Sequence, residues 1–214
     1  MITCQNATFI HVPKCGGTYL RTILDGKYSL HEECALPSIY NAGPMIGFVR
    51  NPYTWYVSWY NFKNTGSDIY KSNDIYKMCN RGPMDFETYL DNLVNPTIEF
   101  KKRYYSVLQT FDVIASLYQV AATWIKSDKP FYEHLYDSYL VGHEIHKNET
   151  MTQDLPSILS KIGMYTPDVE NKIKTTDFIN TSKKVDYRDY YTEDMCKSVL
   201  DSHQRILTVH DYKF

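Results

Sequence analysis

The sequence predicts an α/β protein, a three-layer α/β/α sandwich around a central parallel sheet. Three observations carry that expectation. Short apolar runs with strand composition alternate with longer amphipathic runs, as expected when helices cover a parallel sheet. The first apolar run, Phe9-Ile10-His11-Val12, passes directly through Pro13-Lys14-Cys15-Gly16-Gly17-Thr18 into a helical pattern. A second, Met45-Ile46-Gly47-Phe48-Val49, passes as directly through Arg50-Asn51-Pro52 into another.

Taken in order, Phe9, Ile10 and Val12 have the propensity of a buried strand, and Pro13 ends it because proline cannot donate to a ladder. Gly16 and Gly17 would allow torsions forbidden to other residues, so that successive N–H groups converge on one anion. Thr18 is placed to cap a helix whose apolar side is Leu20, Ile23 and Leu24, with the positive end of its dipole toward that anion. This strand–loop–helix unit is P-loop-like. In a nucleoside-triphosphate loop, however, the lysine follows the glycines, whereas Lys14 precedes them.

Met45–Val49, bounded by Gly43-Pro44, reads as a second buried strand. Asn51 and Pro52 then suit the cap and first turn of a helix over Tyr53–Phe62. Asp85 caps a further helix carrying Phe86, Tyr89, Leu90 and Leu93. Glu99–Lys126 reads as helical with Tyr105, Leu108, Phe111, Ile114 and Leu117 inward, and Tyr139–Ile145 as a return to the sheet. Thr152 opens a helix with Leu155, Ile158, Leu159 and Ile162 that stops at Gly163. A last helix covers Thr192–Leu207.

The whole chain of 214 residues suits one domain with an ample core. A net charge of −2 supplies no basic field for nucleic acid. No run approaches the roughly 18 apolar residues of a membrane span, and the N-terminus lacks a basic-then-apolar leader pattern, so a soluble, cytoplasmic protein is expected. The five cysteines (4, 15, 34, 79 and 196) are scattered without a C-x-x-C, as expected of reduced thiols. The sequons at Asn6, Asn148 and Asn180 would matter only in a secretory lumen. Twenty tyrosines can serve core, interface or sugar-stacking roles.

Two anion sites follow from the strand ends. Lys14 and the loop amides form the first. Arg50 forms the second, at a strand's C-terminal end where open α/β sheets bind ligands and where a guanidinium can clamp phosphate. Ser58 lies eight residues on, about two helical turns, and can share the Arg50 side of the helix. The competing reading is that Arg50 pairs with a carboxylate and Ser58 is a helix surface residue.

Together the two segments resemble the sulfotransferases that use 3′-phosphoadenylyl sulfate (PAPS), especially their carbohydrate-modifying branch. Val12-Pro13-Lys14-Cys15-Gly16-Gly17-Thr18 is similar to that family's 5′-phosphosulfate loop. Val49-Arg50-Asn51-Pro52-Tyr53 through Ser58-Trp59-Tyr60 is similar to its 3′-phosphate motif. A third echo is Asn180-Thr181-Ser182, followed by Tyr187-Arg188-Asp189-Tyr190-Tyr191 and Asp211-Tyr212-Lys213-Phe214. The likeness covers residues 8–62 strongly and 178–214 moderately. It is thin between them.

The resemblance implies that Lys14, the backbone of Cys15, Gly16, Gly17, Thr18 and Tyr19, and the Thr18 hydroxyl hold the 5′-phosphosulfate. Arg50, Ser58, Ser182 and Arg188 would hold the 3′-phosphate. The implied reaction is in-line sulfuryl transfer from PAPS to a hydroxyl or amine, leaving PAP, with Lys14 neutralising the leaving oxygen. The expected acceptor is a carbohydrate, and the scheme needs no metal, no nucleic acid and no membrane. His31, in Leu30-His31-Glu32-Glu33, is the first candidate for the general base that the acceptor requires, as a catalytic residue beside Lys14. Glu32 and Glu33 are the alternatives, and a solvated polar loop is the competing reading.

Other patterns point nowhere. His31-Glu32-Glu33 matches H-x-E but lacks the P-C-x-x-C of zinc deaminases, and His143-Glu144-Ile145-His146 is not H-E-x-x-H. Glu149 stands where the family carries an Arg-Phe-Glu-like segment, and the arginine and phenylalanine are missing. Lys183, Lys184 and Arg188 could clamp the 3′-phosphate, attract an anionic acceptor, or form a solvated face. Trp55, Tyr56, Trp59, Tyr60, Tyr104 and Tyr105 could stack on sugars or pack a core. A variant P-loop phosphotransferase and a non-catalytic nucleotide-binding protein are the alternative functions.

Overall fold

The computed structural model describes residues 1–26, 29–30, 37, 43–65, 84–110, 115–177 and 185–214. They sort into two compact units: Met1–Arg50 with Tyr136–Thr181, and Asn51–Leu135 with Ser182–Phe214.

The first unit holds the sheet. Its strands are β1 (Ile2–Thr3), β2 (Thr8–Ile10), β3 (Ser29–Leu30), β4 (Met45–Val49) and β5 (Glu144–Lys147), in spatial order β3-β1-β2-β4-β5. β2, β4 and β5 run parallel, with Phe9 opposite Ile46 and Val49 opposite Lys147. β1 and β3 extend the sheet antiparallel, so the sheet is mixed and only its β2-β4-β5 half is parallel. Thr8, Phe9, Ile10, Ile46, Phe48 and Val49 are all buried. Gly47 lets Leu140 sit against β4, because a Cβ there would overlap Leu140 Cδ2.

Helices pack beside the sheet. α1 (Gly17–Ile23) follows β2. Further on, reading Tyr139–Ile145 as a strand places it too early: Tyr139 ends a helix, and β5 begins at Glu144. A 3-10 turn at Asn148–Thr150 then leads from β5 into a helix over Met151–Lys161, which buries Leu155, Ile158 and Leu159. Gly163, at φ 72°, turns the chain out, as its position after the apolar stripe predicts. The helix Pro167–Thr175 was readable and overlooked. Thr166 accepts from Val169 N–H and Pro167 opens the first turn, a start signal in plain sequence.

The second unit is helical where described. In chain order with those above, the helices among the described residues are α2 (Pro52–Thr65), α3 (Phe86–Val94), α4 (Ile98–Thr110), α5 (Ala115–Trp124), α6 (Phe131–Tyr139), α7 (Met151–Lys161), α8 (Pro167–Thr175), α9 (Glu193–Ser202) and α10 (Gln204–Val209). α6 is the one that carries both Leu135 and Tyr136, where the two units divide. The caps at Asn51 and Asp85 form as read: Asn51 Oδ1 accepts from Tyr53 N–H at 3.1 Å, and Asp85 accepts from Thr88 N–H at 2.8 Å.

Two long helical readings prove to be pairs. Glu99–Lys126 is α4 and α5, and its inward stripe is shifted: Tyr104 is buried while Tyr105 and Leu108 are only half-buried. Phe111 and Ile114 lie outside the described residues. The C-terminal helix breaks at His203 into α9 and α10.

Aromatic rings fill this core. Trp55 stacks on Tyr132 at 4.4 Å and on Trp59 at 5.5 Å, and Trp124 meets Phe131 at 4.8 Å. Trp55, Tyr56, Trp59 and Tyr104 are at most 1 % exposed, which removes them as sugar-stacking candidates. His203 sits among them. A carbonyl only accepts, so His203 Nδ1 carries the proton donated to the Val199 carbonyl at 3.2 Å, and Nε2 accepts from the Tyr56 hydroxyl at 3.1 Å. Burial lowers its pKa from about 6.5 to about 4.

His11, in the first unit, is lowered further, to about 3, chiefly by desolvation. For both histidines the unfolded chain binds the extra proton first, so their contribution is complete above pH ~6.5 and is lost as pH falls toward about 4 for His203 and about 3 for His11. The histidine contribution to the unfolding free energy should therefore be flat above pH ~6.5 and decline below it, by up to about 1.4 kcal/mol per pH unit for each histidine, with the thermal midpoint falling in step. A melting series on wild type and His203→Asn checks this. The variant's decline should be the shallower of the two.

Candidate functional site: the Lys14 loop and Arg50

The loop after β2 turns on two left-handed residues and is tied by backbone hydrogen bonds. Lys14 has φ 65° and Gly16 φ 81°, so the chain doubles back twice within three residues. Cys15 N–H donates to the Val12 carbonyl at 3.2 Å, closing the turn. That amide already has an acceptor inside the turn. Leu20 N–H then donates to the Gly16 carbonyl at 3.0 Å, the first turn of α1. The amides of Gly17 and Thr18 precede any intrahelical acceptor.

Gly16, not Thr18, is the cap of α1. Thr18 lies inside the first turn, where its hydroxyl is 3.5 Å from Arg21 Nη2 and its carbonyl accepts from the Thr22 hydroxyl at 3.1 Å. Tyr19 is 1 % exposed, and its hydroxyl donates to the Ile173 carbonyl at 3.4 Å, tying α1 to α8. The only part of Tyr19 that fits the expected role is its backbone.

Arg50 comes to this loop from the neighbouring strand. It follows β4 directly, and its Nη1 donates to the Lys14 carbonyl at 3.1 Å. Parallel pairing explains the meeting, since β2 and β4 end at one edge of the sheet and both chains leave there. The two cationic residues singled out from separate motifs thus flank one backbone loop.

Three side chains missed from sequence form the floor of the loop. A Cβ on Gly16 would overlap Met151 Cε and stand 2.6 Å from Asn148 Oδ1, and one on Gly17 would overlap the His11 ring. Asn148 and Met151 arrive from the end of β5. Nothing in their local sequence signals the meeting, because it depends on the β4–β5 pairing. His11 was in view, and its position one residue past the strand was the available clue.

Beside the loop, Thr18, Arg21 and Thr22 of α1, with Asp25 just past its end and Lys172 and Thr176, line an open pocket of about 530 Å³. Its polar character comes from three hydroxyls, two cations and one carboxylate. Thr18 belongs to both pocket and loop.

Ser58 and Arg188 belong to the second unit. Ser58 is 9 % exposed on α2. Arg188 pairs with Asp186 at 3.3 Å and lies over the rings of Tyr187 at 4.6 Å and Phe214 at 6.0 Å. Beside it, Asn51 Nδ2 donates to the Lys213 carbonyl at 2.8 Å and Phe214 packs on Tyr53 at 4.9 Å, so Arg188, the C-terminal Lys213-Phe214 and the start of α2 form one cluster. His31, Glu32, Glu33, Ser182, Lys183 and Lys184 lie outside the described residues.

No protein-family model, curated protein or solved structure matches the chain. Among the described residues, no helix is long and apolar enough to cross a membrane, and no group of three or more His, Cys, Asp or Glu side chains could hold a metal ion.

Gly16→Ala is the sharpest probe of the loop. It forces a side chain into φ 81° and onto Asn148 and Met151 at once. A loss of about 1–3 kcal/mol of stability is expected from the backbone alone, read as a lowered urea midpoint with unchanged slope.

Proposed function

We propose that the chain is a PAPS-dependent sulfotransferase with a P-loop-like α/β/α core, acting on a hydroxylated acceptor of carbohydrate type. The observation that carries this reading is the Arg50–Lys14 contact. It supports treating the two motifs as parts of one anion site, and the family resemblance of residues 8–62 supplies the identity of the anion. The order of lysine and glycines favours phosphosulfate over a nucleoside triphosphate.

In this reading, Lys14 and the amides of Gly16, Gly17 and Thr18 bind the 5′-phosphosulfate, and the Thr18 hydroxyl adds a donor. Arg50 supplies a 3′-phosphate contact from the first unit, and it is the family resemblance alone that assigns Ser58, Ser182 and Arg188 to the same phosphate. The acceptor oxygen forms a bond to sulfur as the sulfur–oxygen bond to the 5′-phosphate breaks. The electron pair of the broken bond goes to that phosphate oxygen, where Lys14 neutralises it, and His31 takes the acceptor's proton. The polar pocket sharing Thr18 supports an acceptor rich in hydroxyls.

Calorimetry with PAP, its analogue lacking the 3′-phosphate, and ATP tests the ligand. PAP should bind at least tenfold tighter than either, and equal binding of all three would sink the proposal. Lys14→Ala should lower sulfate transfer from labelled PAPS by about 10²–10³, the usual cost of removing one group that stabilises developing charge.

A further inference from the structure

The two glycines of the loop do different work. Gly16 needs its left-handed torsion. Gly17 does not: it is the first residue of α1, and its φ is not positive. What Gly17 requires is space, because a Cβ there would overlap His11 at Cδ2 and Nε2 and lie 2.9 Å from Cγ. One edge of the imidazole thus lies directly against the Gly17 backbone. His11 is the residue at which the chain leaves β2, between Ile10 and Val12, at 4 % and 1 % exposure. Its backbone is therefore anchored between two buried residues, while its ring meets the start of α1.

We propose that His11 is a positioning residue, whose ring wedges against Gly17 and aims the first amides of α1 at the bound anion. The inference rests on the sulfotransferase reading for the identity of that anion as phosphosulfate. The ring does this without being an anion ligand itself. Desolvation holds it neutral, and the charges of Arg21 and of the N-terminal amine oppose its protonation further. A neutral wedge fixes direction without adding a charge that would bind the anion off-line. Direction matters because displacements near 1 Å at a reacting centre cost on the order of 10²-fold in rate.

The test is a double-mutant cycle read by PAP affinity, with the melting temperature of every variant recorded. His11→Ala removes the wedge, and Gly17→Ala collides with it. Each should weaken PAP at least tenfold. The double variant His11→Ala/Gly17→Ala puts a methyl group into the vacated space and should bind PAP better than Gly17→Ala alone. His11→Phe restores a planar ring without nitrogens and should recover most of the affinity. A purely structural role would lower the melting temperature of His11→Ala and leave its PAP affinity below that temperature unchanged. That result overturns the inference, as does strict additivity of the two substitutions. Should His11→Ala fail to fold, His11→Phe against His11→Asn decides on ring shape, and equal affinities overturn the wedge. A wild-type chain that binds no PAP overturns the sulfotransferase reading and this inference with it, whereas wild-type binding with unaffected variants overturns the inference alone.

Discussion

Parallel pairing of β2 with β4, and of β4 with β5, is the constraint on which the first unit depends. Parallel strands end on the same edge, so every chain segment leaving them starts from one line. Three segments do so here: the Lys14 loop, Arg50, and the turn carrying Asn148. The hydrogen bond from Arg50 to the Lys14 carbonyl and the seating of Gly16 against Asn148 and Met151 follow from that alignment. An antiparallel arrangement of the same strands would send Arg50 to the far edge.

The loop also shows how a short segment is overdetermined. Lys14 adopts a left-handed torsion that costs a non-glycine residue about 1 kcal/mol or more. It is retained because the Cys15 amide, the Arg50 guanidinium and the start of α1 all hold the turn. Side chains then press on both glycines from below. A loop so braced presents its amides without further ordering, which is what a site for a multiply charged ligand requires.

In the second unit, several polar groups that enter the aromatic core meet specific partners. Trp124 Nε1 donates to the Lys129 carbonyl at 2.8 Å, and Tyr191 donates to the Tyr53 carbonyl at 2.8 Å. Glu133, at 7 % exposure, meets Arg205 at 2.6 Å. His203 spends both ring nitrogens. Its position at the break between α9 and α10 ties the bend in the chain to the Tyr56 hydroxyl on α2.

Much of this was legible along the chain, for local reasons. Strand β4 is bracketed by Gly43-Pro44 and Pro52, and the caps at Asn51 and Asp85 act within three residues of themselves, so sequence alone determined them. It also determined that Lys14 and Arg50 each follow a strand. Sequence did not determine the antiparallel half of the sheet, because two-residue strands such as Ile2–Thr3 carry no periodicity to read. It misplaced β5, since half-buried Glu144–Lys147 lacks an apolar run. Only the tertiary structure decided that Gly16 is the cap in place of Thr18, that Gly17 is small because of His11, and that Trp55, Tyr56 and Trp59 are core and not a sugar platform. Each of those outcomes depends on what a distant segment brings into contact. A sequence specifies which residues can bend, bind or bury, and packing decides which of them have to.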